Sequence, residues 1–245
     1  MAFAIEWDKA GEHLYETGIS RGVLYVLNKT EGTNRYGDGV AWNGLTSVSE
    51  SPEGAETTAL YADNIKYLNL QSAEDFKGTI EAYTYPDKFG VCDGSADLLT
   101  GVSIGQQKRK MFGLCYRTEI GNDQEAAGSG KNYKLHLVYN CLASPSERSY
   151  ETVNDSPEAI TFSWEFSTTP VNVSDVNGQT FKPTACVTID MSKLSDAKIE
   201  ALENKLYGTP ATTGENPTAA VPGYLLLPDE IVTLLNSVVE LTPHE

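Results

Sequence analysis

Gly101-Val-Ser103-Ile-Gly105 has the G-x-S-x-G spacing that in α/β-hydrolases lifts a nucleophilic serine onto a sharp turn. That turn must follow a buried parallel strand and open a helix. Here it follows Asp97-Leu-Leu-Thr and precedes Gln106-Gln-Lys-Arg-Lys, which leads into a strand pattern. His136 falls on the polar face of a predicted strand and His244 is next to the last residue, so neither is placed as a base for Ser103. A glycine-flanked loop is the expected outcome. Gly128-Ser-Gly130-Lys131 resembles the end of a phosphate loop, but the first glycine of that pattern would be Glu125 and its hydroxyl residue Asn132. A carboxylate facing a phosphate opposes binding, so a hairpin tip is expected. The three histidines, His13, His136 and His244, are isolated, and no run has calcium-loop spacing, so no metal ligand is assigned. Cys92, Cys115, Cys141 and Cys186 form no Cys-x-x-Cys pair, which favours reduced, buried thiols. With 34 acidic residues, carboxylate pairs at glycosidase separation are unavoidable and carry no weight. The sequons at Asn28, Asn154 and Asn172 are expected by chance. No catalytic or cofactor-binding residue survives, and the expectation is a protein that is not an enzyme.

Against those 34 acids stand 18 basic residues, a net charge of −16 over 245 residues. Such a surface repels phosphate backbones, which disfavours tight nucleic-acid binding. Hydrophobic residues at 40% suffice for a core. No apolar run is long enough to cross a membrane, and Glu6 and Asp8 stand where a signal peptide needs basic and then apolar residues, so a cytoplasmic start is expected. The one basic cluster, Lys108-Arg109-Lys110, reads either as a solvated loop or as a salt-bridging contact to an acidic patch on another copy.

Period-two alternation is cleanest over Tyr133–Cys141 and Ala159–Ser167, as in antiparallel strands with one face on a core and one polar. Val23–Leu27, Phe76–Tyr85, Lys110–Ile120 and Thr184–Asp190 read as further strands, with shorter candidates at Leu45–Glu50, Thr57–Ala62, Ile65–Leu70 and Arg148–Val153. Roughly ten strands at this spacing predict a mainly β chain folded as a sandwich or barrel. Ile199, Leu202 and Leu206 make a helical stripe that Gly208 would end, and Pro228-Asp229-Glu230 opens a helix with Ile231, Leu234, Leu235 and Val238 on its apolar face. A further helical turn is expected around Asp87–Val91. Asn28–Gly44, Ile120–Lys131 and Thr209–Pro222 read as loops, the last a linker. The expected organisation is a β domain with its flanking helix over 1–208, then a linker and docked helical tail over 209–245.

Several stretches resemble one known family. WNGLTSVSESPEGAE (Trp42–Glu56), LYADNIKYLNL (Leu60–Leu70), GTIEAYTYPDKFGVCDG (Gly78–Gly94), FGLCYRTEIGND (Phe112–Asp123) and the long run Tyr133–Val171 are similar, in order and spacing, to the major tail tube proteins of non-contractile, siphovirus-type tails from phages and prophages of Gram-positive bacteria. KPTACVTID (Lys182–Asp190) and LPDEIVTLL (Leu227–Leu235) extend the likeness over nearly the whole chain. The resemblance implies a β-sandwich with one or two short helices, closing as six copies into a ring with an inner β-barrel. It implies partners too: rings stacked along a tape measure protein, bounded by tail terminator and distal tail or baseplate proteins, in a virion tail assembled in the host cytoplasm. Double-stranded DNA would pass through without adhering, with no cofactor and no membrane insertion.

Six copies at −16 each carry −96 per ring, against DNA with one charge per about 1.7 Å. Glu81, Glu119 and Glu165 are the candidates for acids facing that channel. Ring stacking is expected through Gly37–Glu56 first and Asp87–Lys110 second, with Trp42, Leu45, Val48, Lys108, Arg109 and Lys110 as contact candidates. Trp42, Leu45 and Val48 would be wet in a lone copy if they serve an interface, and core if they serve the sandwich. The rival function is a carbohydrate-binding β-sandwich for host recognition, since 13 tyrosines offer rings for sugars.

Overall fold

The structure is a computed structural model and describes residues 7, 9–28, 35–150, 152, 159–212 and 218–238; Glu6, Asp8, Asn154 and His244 lie outside the described residues. In chain order the elements are β1 (Tyr15–Val26), β2 (Val40–Ala41), β3 (Leu45–Glu50), β4 (Glu53–Gly54), β5 (Thr57–Ala62), β6 (Ile65–Gln71), β7 (Glu74–Asp75), β8 (Lys77–Ala82), α1 (Gly90–Asp93), β9 (Ala96–Leu99) and β10 (Val102–Ile104). There follow β11 (Phe112–Gly121), β12 (Tyr133–Ala143), β13 (Phe162–Ser167), β14 (Cys186–Asp190), α2 (Asp196–Leu206), β15 (Gly208–Thr209), β16 (Val221–Pro222) and α3 (Pro228–Ser237).

Eight strands join in the order β2-β1-β11-β12-β13-β8-β3, with β14 also paired to β12. Strand β12 belongs to two halves of this sheet. Lys134–Val138 pair with β14, whereas Leu142 and Ala143 pair with β13. Between them the ladder to β11 jumps from Leu114↔Val138 to Phe112↔Cys141, a bulge that holds Asn140 at φ 47°. Bulges bend a strand and increase its twist, and this one turns the sheet onto itself. The larger half (β2, β1, β11, β12, β14) then faces the smaller (β13, β8, β3) across a core containing Leu24, Leu114, Ile80, Trp164 and Phe166. This is the expected mainly β sandwich, and no closed barrel forms within one chain among the described residues.

A second core lies on the other face of the larger half. Tyr25, Cys115, Leu135, Leu137 and Tyr139 meet Leu202 and Leu206 from α2, Leu225 and Leu226 from the segment after β16, and Ile231 from α3. The half-polar reading of Tyr133–Cys141 is therefore corrected: β11 and the second half of β12 are covered on both faces, by the smaller half-sheet on one side and by helices on the other. Trp42 is corrected with it. At 3% exposure it is core in the single chain, its Nε1–H donating to the Thr84 carbonyl at 3.0 Å and its ring 4.7 Å from that of Phe89.

The helices follow their sequence signals. Asp196 lies in the first turn of α2, Ile199, Leu202 and Leu206 are its buried face, and Gly208 follows at φ +81°, where a Cβ would lie 2.3 Å from the Val221 carbonyl oxygen. Pro228 opens α3, and the Leu227 N–H donates to the Glu230 carboxylate at 2.8 Å. Among the described residues helices number three, because the turn expected near Asp87–Val91 is a 3-10 turn (Asp87–Phe89) running into the four-residue α1. No strand forms over the described part of Arg148–Val153. Arg148 instead pairs with the Asp93 carboxylate and lies over the ring faces of Tyr85 and Phe162.

Candidate assembly surface

Among the described residues strands β5 and β6 pair only with each other. Their two-residue turn, Asp63-Asn64, has φ of 50° and 64°, the left-handed pair that suits the twist of a tight hairpin. Gly54 at the root has φ +87°, and a Cβ there would lie 2.3 Å from the Ala73 carbonyl oxygen, so the entry to this arm requires glycine. Six large apolar side chains lie exposed along it: Leu60, Tyr61, Ile65, Tyr67, Leu68 and Leu70, with Tyr61 at 71% and Tyr67 at 70%. An isolated two-stranded ribbon is marginal in water, and each such side chain gains about 1.5–3 kcal/mol when fully buried. The arm is an element without a core of its own among the described residues. A smaller hairpin, β9–β10, is built the same way, with Leu98, Leu99, Val102 and Ile104 exposed. Ser103 lies in β10, in an antiparallel hairpin rather than on a strand-to-helix elbow.

The sequence-expected contact residues divide. Leu45 and Val48 are half-buried against the core that holds Trp42. Lys108 and Lys110 are exposed, and the Arg109 guanidinium donates to the Asp93 carbonyl at 2.9 Å. Of the acids, Glu81 and Glu165 share the outer face of the smaller half-sheet, in register with Ser163 and Thr79 respectively. Ser47 donates to Glu81 at 2.9 Å. Glu119 is not on that face. It lies in β11 with Cys115 and Arg117, on the side covered by helices, 3.9 Å from the Arg117 guanidinium and against Gly128. The structure brings two of the three acids together and separates the third.

A polar cluster that the sequence does not announce closes one edge of the sandwich. The Tyr116 hydroxyl donates to Glu50, the last residue of β3, and the His136 ring stacks on Tyr116 at 4.8 Å. His136 Nδ1 is 3.6 Å from the Glu50 carboxylate and its Nε2 is 2.9 Å from the Thr118 hydroxyl. The His136 imidazole is the main influence holding the Glu50 carboxyl below its ordinary value; partial burial opposes it and the Tyr116 hydroxyl adds to it. These residues are up to 86 positions apart (Glu50 to His136), so only the fold unites them. Burial pushes the thiols of Cys92 and Cys115 up to about 12 and raises Cys141 and Cys186 as well, which leaves all four protonated and poorly nucleophilic. All four are free thiols.

No family model and no curated protein matches the sequence. Among solved structures the chain is similar to a chain of the anti-feeding prophage (AFP) baseplate, determined by cryo-EM with 6-fold symmetrisation, at 10% identity and a TM-score of 0.31 over 77% of this chain and 100% of that one. Likeness of that degree carries no weight on function.

Proposed function

We propose that this chain is a structural phage protein, the major subunit of a siphovirus-type tail tube, and that it has no catalytic role. Copies close into rings of six, and rings stack along a tape measure protein into a hollow conduit for DNA in the virion tail, bounded by terminator and distal tail proteins. The observation that carries the reading is the free-standing β5–β6 arm: exposed apolar residues on a ribbon with no support among the described residues call for another copy to complete it. Open sheet edges at β2 and β3 add unsatisfied pairing positions that ring closure removes. The resemblance along the sequence supplies the identity of the assembly. The outer face of the smaller half-sheet, with Glu81 and Glu165 among serines and threonines, is the surface suited to a channel wall, because its hydroxyls hydrate and its carboxylates repel a polyanion.

Negative-stain microscopy of the purified chain tests this. Long hollow filaments are expected, and a monomer at all concentrations overturns the proposal. Carbohydrate binding has one observation in its favour, the exposed rings of Tyr61 and Tyr67. It calls for a soluble monomer whose glycan binding is lost in Tyr61→Ala/Tyr67→Ala, while the tube reading expects those changes to lower assembly instead.

A further inference from the structure

The arm and the β9–β10 hairpin are rooted at opposite ends of the smaller half-sheet. The arm continues from the end where Glu50 pairs with Gly78, through the β4–β7 pair. The β9–β10 hairpin stands on α1, which follows the other end, where Leu45 pairs with Ala82. Its base is fixed there by Gln107 N–H donating to the Gly94 carbonyl at 2.9 Å and by the Asp93–Arg148 pair against Tyr85 and Phe162, the latter in register with Ala82. Both hairpins expose apolar side chains along their strands, beside polar turns at Asp63-Asn64 and Thr100-Gly101, and their roots differ in charge. At the root of the arm Glu53, Glu56, Glu74 and Asp75 stand against Lys77, which is taken up by Glu53 at 2.6 Å, and Lys182, which lines the same groove as Glu74; Glu56, Glu74 and Asp75 have no salt bridge among the described residues. At the other end Lys88, Lys108, Arg109, Lys110 and Arg148 stand against Asp38, Asp87, Asp93 and Asp97, with Arg148 taken up by Asp93 and Asp38 lining a cleft with Lys88, so that Lys108 and Lys110 are left without a salt bridge among the described residues. In a chain of net charge −16 that local excess of cations is the exception.

We infer that the arm of one copy docks on the β9–β10 end of the next copy, acidic root against Lys108 and Lys110 and the apolar side chains of its strands against Leu98 and Leu99. The inference rests on the proposed tube and adds its polarity: two different surfaces meet, so the contact is heterologous and gives the stack of copies a direction. Complementary charge fixes which end meets which, since the reverse pairings place like charges together.

Charge exchange in the full-length chain tests the pairing. Glu56→Lys/Glu74→Lys/Asp75→Lys and, separately, Lys108→Glu/Lys110→Glu are each expected to raise the concentration needed for assembly about tenfold or more. Each must retain the wild-type circular dichroism spectrum. Combining both sets restores assembly to within about threefold of wild type. Failure of the combined variant to recover, or no effect of either set, overturns the inference. In a second measurement, Tyr61→Cys/Leu99→Cys is oxidised and run under denaturing conditions. A ladder of multimers is expected, and a product that stops at dimers shows a symmetric contact and overturns it. Filaments that form while both measurements fail discard this pairing and leave the tube standing. A wild-type chain that never assembles discards the tube itself.

Discussion

Asn140 carries the bend that makes a sandwich out of one sheet. Its backbone sits at φ 47°, its N–H donates to the Tyr36 hydroxyl at 3.0 Å, that hydroxyl donates back to Oδ1 at 3.1 Å, and Nδ2 donates to the Thr169 carbonyl at 2.9 Å. Asparagine adopts this conformation at less cost than alanine, so Asn140→Ala combines added strain with lost buried hydrogen bonds; a cost of about 2–4 kcal/mol is expected in urea denaturation. Trp42→Ala removes a buried ring packed on Phe89 and Trp164, and the expected loss is about 3–5 kcal/mol of stability. That variant reports on folding, because the ring is core before any second copy arrives. Glu50 sets a pH dependence. Its carboxyl is held below its ordinary value in the fold, so its contribution is complete above the unfolded value of about 4.3 and is lost as pH falls through the lower folded value. Glu50→Gln is expected to be less stable than wild type at pH 7, with the gap narrowing in denaturation curves taken below pH 4.

Among the elements, the arm is separable from the rest. Replacing Glu56–Ser72 by a short turn leaves β4–β7 and both cores untouched, so thermal unfolding should stay within about 2 °C of wild type while filaments disappear from micrographs. Its boundaries were legible in the sequence: Thr57–Ala62 and Ile65–Leu70 were expected as strands, and β6 runs one residue further, to Gln71. Its isolation was not, because periodicity reports which face a side chain takes and not whether anything covers that face. The signal available was the mixture itself, with Leu60 and Tyr61 adjacent and both apolar, so neither face of the ribbon is the polar one. Helices α2 and α3 were legible from Ile199, Leu202, Leu206 and Pro228, where caps and stripe agree. The doubly covered β12 was not, since Lys134 and His136 interrupt its second face and look like solvated positions. His136 is half-buried there because Glu50, Tyr116 and Thr118 supply polar partners from two other strands. That Glu119 lies on a different face from Glu81 and Glu165 was illegible for a related reason: alternation within β11 gives its parity, while the side on which α2 lies is set by residues more than 70 positions later.

At the scale of the whole molecule, a charge of −16 opposes any meeting of identical copies, so attraction has to be local and directional. The concentration of lysines near α1 and of bare carboxylates near β4 and β7 provides that. Strand β12 has a further consequence. It supplies Tyr133, Leu135, Leu137 and Tyr139 to one core and Val138, Cys141 and Ala143 to the other, so neither core can come apart while the other keeps its strand. Calorimetry should therefore record a single endotherm whose van't Hoff and calorimetric enthalpies agree, despite two separate hydrophobic clusters. Half-melted subunits, with one cluster intact and sticky strands released, are then never populated enough to clog a growing structure.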